Sequence, residues 1–173
     1  EAEYCELLQV EKGKLPSEQS PVIKKYQEYG MFTPNVVKKI EHPATSTIEQ
    51  HIKTRMKQLI LQVTQQCNLR CEYCVYSGIY HRNRMHSNQR MTFETAKRAI
   101  DFFLENSREQ ADISISFYGG EPLLEFNLIK QCVEYAKSQT EGKRIRFNLT
   151  TNGTLLTDSV VDYLVDNNFY LNI

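Results

Sequence analysis

The regular alternation of strand and helix patterns after residue 56 restricts the fold of this 173-residue chain more than any other feature. Short β-branched or alternating segments are typical of strands, and longer segments with apolar residues three or four apart are typical of helices. The predicted strands are Gln58–Thr64, Ile113–Tyr118, Ile145–Leu149 and Tyr170–Ile173, and the predicted helices are Met91–Asn106, Leu128–Ser138 and Asp158–Asn167. Such βαβ units form a parallel sheet with right-handed crossovers, so the predicted fold class is α/β.

Two threonines stand immediately before predicted helices. Thr92 precedes the apolar positions of the first helix, and Thr157 precedes those of the third. A threonine hydroxyl at such a position accepts a hydrogen bond from a backbone N–H that has no partner inside the helix. We therefore expect both threonines to act as N-caps.

The first 55 residues follow a different pattern. Glu1–Val10 and Val22–Tyr29 are predicted as short helices, and proline breakers follow in Thr33-Pro34-Asn35 and His42-Pro43-Ala44-Thr45. The sequence begins without a cap or an initiator methionine and ends within an apolar strand. We therefore expect the tail of a small, mostly helical N-terminal module at residues 1–43, a linker at 44–56, and the truncated N-terminal part of a βα domain at 57–173.

Charge and cysteine content exclude several functional classes. Lys plus Arg equals Asp plus Glu at 21 each, which gives no whole-chain electrostatic reason to bind nucleic acid or an anionic membrane. No apolar run approaches the roughly 20 residues of a membrane span, and no signal peptide is present, so a cytoplasmic protein is expected. Three of the five cysteines fall within eight residues, which favours a metal site over disulfides. Cys5 and Cys132 are isolated and are interpreted as ordinary core or surface residues.

Directly after the first strand, Cys67, Cys71 and Cys74 form a C-x3-C-x2-C motif. Thiolates are soft ligands that suit iron–sulfur clusters and zinc. Three cysteines on one loop can hold three corners of a cubane cluster and leave the fourth iron open to a small molecule, whereas a structural zinc site is closed by a fourth ligand. In the zinc alternative, His81 or His86 completes the site.

Two motifs resemble the radical S-adenosylmethionine (SAM) superfamily. The loop CNLRCEYC resembles its cluster loop, and Tyr118-Gly119-Gly120-Glu121-Pro122, after the second strand, resembles its GGEP motif. The resemblance covers about residues 57–173 and implies the N-terminal part of a partial (β/α)6 barrel. It further implies that the three cysteines ligate a [4Fe–4S] cluster whose open iron binds SAM. Reductive cleavage of SAM then gives a 5′-deoxyadenosyl radical that takes a hydrogen atom from the substrate.

The same resemblance implies further cofactor contacts. Tyr73 is expected near the adenine, and Gly119, Gly120 and Glu121 near the methionine end of SAM. Asn152, in Thr150-Thr151-Asn152-Gly153 after the third strand, either contacts SAM or substrate or only forms a turn. The GGEP segment has the same alternative of a turn alone. Residues 80–90 are expected to form a solvated loop, with substrate recognition as the alternative, and no catalytic residue is identified.

Within the superfamily, CNLRCEYCVYS, FYGGEPLL and TTNGTLLT resemble the branch that modifies ribosomally made peptides and carries a C-terminal SPASM or Twitch region. The N-terminal segment and its linker resemble maturases that install thioether crosslinks in cysteine-rich peptides, where a winged-helix-like module grips a leader peptide. This implies a precursor peptide with a leader and a reductant protein, such as ferredoxin or flavodoxin, as partners. The alternatives are an anaerobic sulfatase-maturating-type enzyme and a zinc-binding module without catalysis.

Overall fold

A computed structural model describes residues 1–33, 39–140 and 142–173. The chain divides into two compact units, Glu1–Pro43 and Ala44–Ile173. The breaker expected at Pro34 and Asn35 lies outside the described residues. Within the described part of the chain, no helix is both long enough and apolar enough to cross a membrane.

The first unit contains two helices, α1 (Ala2–Glu11) and α2 (Pro21–Glu28), with a 3-10 turn at Ser17–Gln19 between them. The start of α2 is capped twice. The Ser20 hydroxyl accepts a hydrogen bond from the Ile23 N–H at 3.1 Å, and the carboxylate of Glu6 accepts one from the Val22 N–H at 3.0 Å. Because Glu6 belongs to α1, this second cap also joins the two helices, whose bounds lie within one residue of those predicted.

The second unit contains the alternating elements predicted from the sequence. After a 3-10 turn at Thr45–Thr47 the elements are α3 (Ile48–Thr54), β1 (Gln58–Thr64), α4 (Phe93–Glu105), β2 (Asp112–Gly119), a 3-10 turn at Pro122–Glu125, α5 (Phe126–Gln139), β3 (Arg144–Thr150), α6 (Asp158–Asp166) and β4 (Phe169–Asn172). The strands form one parallel sheet in the order β1-β2-β3-β4. The α/β prediction is confirmed, and this sequential order is the one in which a (β/α) barrel winds.

Residues 44–56, expected as a linker, contain a 3-10 turn and α3 and belong to the second unit. Backbone hydrogen bonds connect this segment to the end of α4, from Met56 N–H to the Asn106 carbonyl and from Glu109 N–H to the Thr54 carbonyl, both at 3.0 Å. An ion pair between Arg55 and Glu109 at 2.6 Å lies at the same place. These contacts hold the segment against the amino-terminal side of the sheet.

The two faces of the sheet differ in character. One face packs against α4, α5 and α6, and its buried side chains are Leu61, Val63, Ile113, Ile115, Phe117, Phe147 and Leu149. The other face presents mainly polar side chains, including Gln58, Ser116 and Asn148, which hydrogen-bond to one another across the strands. The period-2 alternation of strand side chains produces this division, so the core lies on one side of the sheet only.

The two expected N-caps behave differently. The Thr92 hydroxyl accepts a hydrogen bond from the Thr95 N–H at 3.3 Å, which confirms it as the cap of α4. Thr157 occupies the same position before α6 but makes no side-chain cap, so the expectation for it is wrong. Its hydroxyl instead lies 3.2 Å from the Ser159 hydroxyl, which competes with the helix N–H groups for it.

Candidate active site

The carboxyl ends of the parallel strands bring the sequence motifs to one edge of the sheet. A cavity of about 310 Å³ opens there. Of the residues predicted for the site, those that line it are Cys67, Cys71, Cys74, Tyr73, Gly119, Gly120 and Asn152. Segments that are far apart in the sequence therefore meet around a single space, at the edge where α/β proteins place their ligands.

The cysteine loop presents its sulfur atoms as partly exposed free thiols. Backbone N–H groups of Leu69 and Tyr76 each lie 3.4 Å from a sulfur, that of Cys67 and that of Cys74 respectively. Such N–H···S contacts stabilise negative charge on sulfur and are among the interactions that tune iron–sulfur clusters. The loop therefore directs backbone N–H groups toward two of its three sulfur atoms, those of Cys67 and Cys74.

The arrangement of the thiols separates the two metal interpretations. Among residues 1–33, 39–140 and 142–173, no three His, Cys, Asp or Glu side chains converge closely enough to bind one metal ion. A zinc site needs that convergence, whereas each cysteine of a cubane cluster binds a different iron. His81 is exposed. The donor set on the wall of the cavity therefore fits the cluster better than zinc.

Arg70, which the sequence analysis did not single out, fixes the turn between the first two cysteines. Its guanidinium donates hydrogen bonds to the Leu69 carbonyl at 2.7 Å, to the Cys67 carbonyl, and to the Gln66 side-chain oxygen at 3.1 Å. The same Gln66 oxygen accepts a bond from the Cys67 N–H at 3.3 Å. The Arg70 guanidinium therefore hydrogen-bonds to oxygen atoms of the loop itself.

Gly119 and Gly120 permit a close backbone approach, and the partner is the end of β1. A Cβ atom on Gly119 would lie 2.4 Å from the Thr64 carbonyl oxygen, and one on Gly120 would lie 2.2 Å from the Gln66 carbonyl oxygen. Hydrogen bonds of 2.9 Å from Gly120 N–H to Thr64 and from Glu121 N–H to Gln66 join the same segments. Any side chain here would displace the backbone that leads into Cys67.

Glu121 is fully buried and does not line the cavity. Its Oε1 accepts hydrogen bonds from the Leu123 N–H at 2.9 Å and the Thr151 hydroxyl at 2.8 Å, and its Oε2 accepts one from the Asn152 N–H at 2.8 Å. Three donors compensate the cost of burying a carboxylate. The geometry therefore gives Glu121 the role of joining the turns after β2 and β3, and a direct contact between Glu121 and the cofactor stays a prediction.

Asn152 both forms a turn and faces the cysteine loop. Its side-chain oxygen accepts hydrogen bonds from the Thr154 N–H at 3.0 Å and hydroxyl at 2.6 Å, an Asx-type turn. Its amide nitrogen donates to the Asn68 side-chain oxygen at 2.9 Å and lies 3.8 Å from the Cys67 sulfur. The turn interpretation is thus observed, and the amide also places a donor beside the first cysteine.

Further side chains line the cavity wall. His86, which the sequence analysis named only for the zinc alternative, lies beside Cys74, and the same cavity is lined by Tyr76 and Tyr118, which were not predicted as site residues. Burial, followed by the neighbouring Tyr76, raises the pKa of Tyr118, so this phenol stays neutral at physiological pH. Tyr73, expected near the adenine, is 83% exposed at the cavity mouth. The sequence analysis named His86 only as a possible fourth ligand of zinc, because no spacing rule fixes where residues 80–90 lie relative to the cysteine loop.

Comparison with known proteins gives one family and several relatives. The model of the radical SAM superfamily matches residues 61–173. An uncharacterized protein of Methanocaldococcus jannaschii is 42% identical over 107 residues, which is 62% of this chain and 34% of that protein. The radical SAM cyclopropyl synthase TigE of Paramaledivibacter caminithermalis is 29% identical over 86% of this chain and 34% of its own length. A serine-type anaerobic sulfatase-maturating enzyme of Bacteroides thetaiotaomicron is 32% identical over 62% of this chain and 26% of its own length.

Two solved structures of anSMEcpe are also similar to this chain. Native anSMEcpe with bound AdoMet is 27% identical with a TM-score of 0.57, and the form that also holds the Kp18Cys peptide is 26% identical with a TM-score of 0.55. Each match covers 66% of this chain and 30% of the solved chain. This chain spans about a third of the length of the curated relatives that it matches.

Proposed function

Because this chain belongs to the radical SAM superfamily, we propose that it is part of an enzyme that uses reductive cleavage of SAM to modify a ribosomally made peptide. The observation that carries the proposal is the convergence of the three cysteines, the Gly119-Gly120 segment and Asn152 around one cavity at the carboxyl edge of a parallel sheet. Family membership implies the [4Fe–4S] cluster and SAM as cofactors.

We assign Cys67, Cys71 and Cys74 as the ligands of the cluster. The cluster with bound SAM would supply a 5′-deoxyadenosyl radical after one-electron reduction. The protein's part is to keep three sulfurs on one wall of the cavity and to direct the N–H groups of Leu69 and Tyr76 at two of them, those of Cys67 and Cys74. A fourth protein ligand is not required, which leaves the remaining iron to SAM.

The cavity wall offers contacts of different kinds for SAM. Gly119 and Gly120 line the cavity, and we propose that a backbone carbonyl of this pair accepts a hydrogen bond from the SAM ammonium group. The exposed Tyr73 ring can cover the adenine, and Asn152 supplies an amide at the cavity wall. Glu121 acts through its neighbours, because its carboxylate oxygens are occupied by Leu123, Thr151 and Asn152.

Replacing each of the three cysteines by alanine in the intact protein tests the cofactor assignment. Loss of one thiolate removes one corner of the cluster, so each variant should lose the iron–sulfur absorbance and 5′-deoxyadenosine production. Cys5→Ala is the matched control, since Cys5 is an exposed free thiol of the first unit. Normal 5′-deoxyadenosine production by any of the three variants would refute the assignment, and zinc without iron after anaerobic reconstitution would favour the zinc-binding module.

The peptide substrate is supported by the relatives and by the open sheet face. The name of one solved neighbour includes a bound peptide, and similarity to TigE extends over 86% of the chain and therefore into the first unit. The polar face that carries Ser116 and Asn148 lines an open cavity, in which we propose that part of the peptide lies. We propose a precursor peptide whose leader binds the unit Glu1–Pro43, and a ferredoxin or flavodoxin as electron donor. Five free cysteines suit the reducing cytoplasm.

Deletion of residues 1–43 from the intact protein tests the leader-binding part. A bound leader raises the local concentration of a flexible substrate, so peptide turnover should fall strongly while peptide-independent SAM cleavage persists. If both reactions fell together, the unit would support the barrel instead. Tandem mass spectrometry of the product would locate the new bond and distinguish a thioether crosslink, expected from the sequence, from the cyclopropane named for TigE.

A sulfatase-maturating activity is the second candidate. It is favoured by the 32% identity to the serine-type enzyme of Bacteroides thetaiotaomicron and by the TM-score of 0.57 to native anSMEcpe. Incubation of the reconstituted enzyme with serine- and cysteine-containing sulfatase peptides would decide this. Modification of such a peptide by the variant lacking residues 1–43 would favour this candidate over leader-guided maturation.

A further inference from the structure

The side-chain amide of Asn152 has a defined orientation. Its oxygen accepts one hydrogen bond from the backbone N–H of Thr154 at 3.0 Å and another from the Thr154 hydroxyl at 2.6 Å. A backbone N–H can only donate, so an amide turned by 180° would place two donors against each other. The amide nitrogen, with both of its N–H groups, therefore faces the cysteine loop.

The two N–H groups of this amide have two acceptors in the cysteine loop. The Asn152 nitrogen lies 2.9 Å from the side-chain oxygen of Asn68 and 3.8 Å from the sulfur of Cys67. The Asn68 amide donates in turn to the Thr154 hydroxyl at 2.7 Å, which closes a ring of three hydrogen bonds among Asn68, Asn152 and Thr154. This ring occupies one N–H of Asn152 and leaves the other for the Cys67 sulfur.

The backbone of Asn152 is also held in place. Its N–H donates to Oε2 of the buried Glu121 at 2.8 Å, and the N–H of the preceding Thr151 donates to the Asn172 carbonyl at 3.0 Å. The amide is thus carried by hydrogen-bonded backbone at the end of β3, so its position beside Cys67 follows from the fold of the sheet.

The Cys67 sulfur needs donors once it is a ligand. As a free thiol it can donate to the Asn68 side-chain oxygen, which lies 3.9 Å away. A sulfur bound to iron carries no proton and can only accept. Among the hydrogen bonds of the described residues, its donors are then the Leu69 N–H at 3.4 Å and the Asn152 amide at 3.8 Å. The first belongs to the loop itself, and the second comes from a residue 85 positions away.

We propose that Asn152 is a positioning residue for the cluster: its amide orients the Cys67 sulfur and stabilises the reduced cluster through an N–H···S hydrogen bond. This inference rests on the proposed function, because it needs a cluster bound through Cys67. Reduction adds negative charge to the cluster, and an N–H dipole directed at a sulfur favours that charge. Hydrogen bonds to the sulfurs are one determinant of cluster potential, and partners of ligating groups change metal affinity.

The test compares Asn152→Leu and Asn152→Ser in the intact, anaerobically reconstituted protein without SAM. Leucine has a similar size but no polar group. Serine keeps an oxygen that can accept the Thr154 N–H in the turn, but it is too short to reach Cys67. We expect both variants to bind the cluster and to lose iron to a chelator about tenfold faster than the wild type. Their midpoint potentials, followed by EPR-monitored titration, should both become more negative. Asn83→Leu, at an exposed asparagine, is the control and should match the wild type.

The outcomes separate this inference from the proposed function. A wild-type protein that binds no cluster would overturn both. An unchanged potential in Asn152→Leu would overturn the inference alone, even if iron were lost faster. A shift in Asn152→Leu with a wild-type potential in Asn152→Ser would also overturn it, since only the turn would then matter. If Asn152→Leu alone holds no cluster, the potential of Asn152→Ser decides. Absence of the cluster from both variants would contradict the inference, because all three thiolates remain.

Discussion

The backbone N–H of Asn152 lies 2.8 Å from Oε2 of Glu121 and donates a hydrogen bond to it. This bond joins the turn after β3 to the turn after β2, and the Asn152 side chain then reaches Asn68 in the cysteine loop. The Glu121 carboxylate therefore joins the ends of β2 and β3, and the Asn152 side chain connects them to the loop after β1.

Glu121→Gln should destabilise the second unit. An amide presents an N–H where the carboxylate accepted a bond from Asn152 or Thr151, so one buried donor loses its acceptor. The expected loss in the free energy of unfolding is about 2 kcal/mol, measured by urea titration. Glu134→Gln, at an exposed position of α5, is the control and should leave this free energy nearly unchanged. Equal stability of the two variants would contradict the bridging role of Glu121.

Gly120→Ala should displace the cysteine loop. The added Cβ would meet the Gln66 carbonyl oxygen at 2.2 Å, and this neighbour is backbone that cannot rotate away. We expect a loss of about 3 kcal/mol in unfolding free energy, together with a reduced iron content after reconstitution. Ser114→Ala, on the open face of β2, the strand that precedes Gly120, provides the comparison. An iron content equal to that of the wild type would show that the loop tolerates the shift.

The Cys132 thiol should not react with alkylating reagents in the folded chain. It lies in the core at 0% exposure, and burial raises the pKa of its thiol to about 12. At pH 8 it therefore remains a protonated thiol. Iodoacetamide should label Cys5, Cys67, Cys71 and Cys74 in the metal-free native chain, and Cys132 only in denaturant, as read by peptide mass mapping. Labelling of Cys132 at the rate of Cys5 would mean that the core opens.

The contact between α4 and α5 should weaken in acid. A hydrogen bond from Tyr135, and then the bond from Lys97, lower the pKa of Asp101 in the folded state. A carboxyl with a lowered folded pKa contributes stability above its unfolded pKa, about 3.9, and loses it as the pH falls through the folded value. The difference in Tm between the wild type and Asp101→Asn should thus be small but measurable at pH 7 and should shrink by pH 3.

The control for this pH dependence is Asp162→Asn, at an exposed position of α6. Its Tm difference from the wild type should not follow the same course between pH 7 and pH 3. A constant difference for Asp101→Asn over this range would show that its carboxylate contributes nothing to the α4–α5 contact. Tyr135→Phe, which removes the hydrogen bond that lowers the pKa of Asp101 most, should reproduce most of the Asp101→Asn effect.

Much of the fold was predictable because its signals are local. Apolar periodicity and β-branched runs predicted the strands and helices of the βα unit, with β1 at its observed bounds and the start of α5 two residues late. The cysteine spacing likewise predicted a metal-type loop, because all three cysteines lie on one short segment. Thr157 failed as a cap because a nearby hydroxyl competes for its side chain, a choice between two local bonds that composition does not resolve.

The parts that sequence reasoning missed depend on contacts between distant segments. The His86–Gln65 bond joins residues 21 positions apart, and the Glu121–Asn152 bond joins residues 31 apart. Only the register of the strands and the return of the loop along β1 bring these pairs together. The resemblance to a motif indicates which residues form such a site. Which groups donate hydrogen bonds to Glu121 depends on the fold.

The hydrogen bond between Asn68 and Asn152 joins residues 84 positions apart, and this distance sets an order of events during translation. The cysteine loop leaves the ribosome before the strand that supplies its asparagine partner. At roughly 5–20 residues per second, that interval lasts about 4 to 17 s. For those seconds the Cys67 thiol of a nascent chain lacks the Asn152 amide that lies 3.8 Å from it in the folded chain, so we expect the cysteine loop to be most open to oxidation before residue 152 has been made.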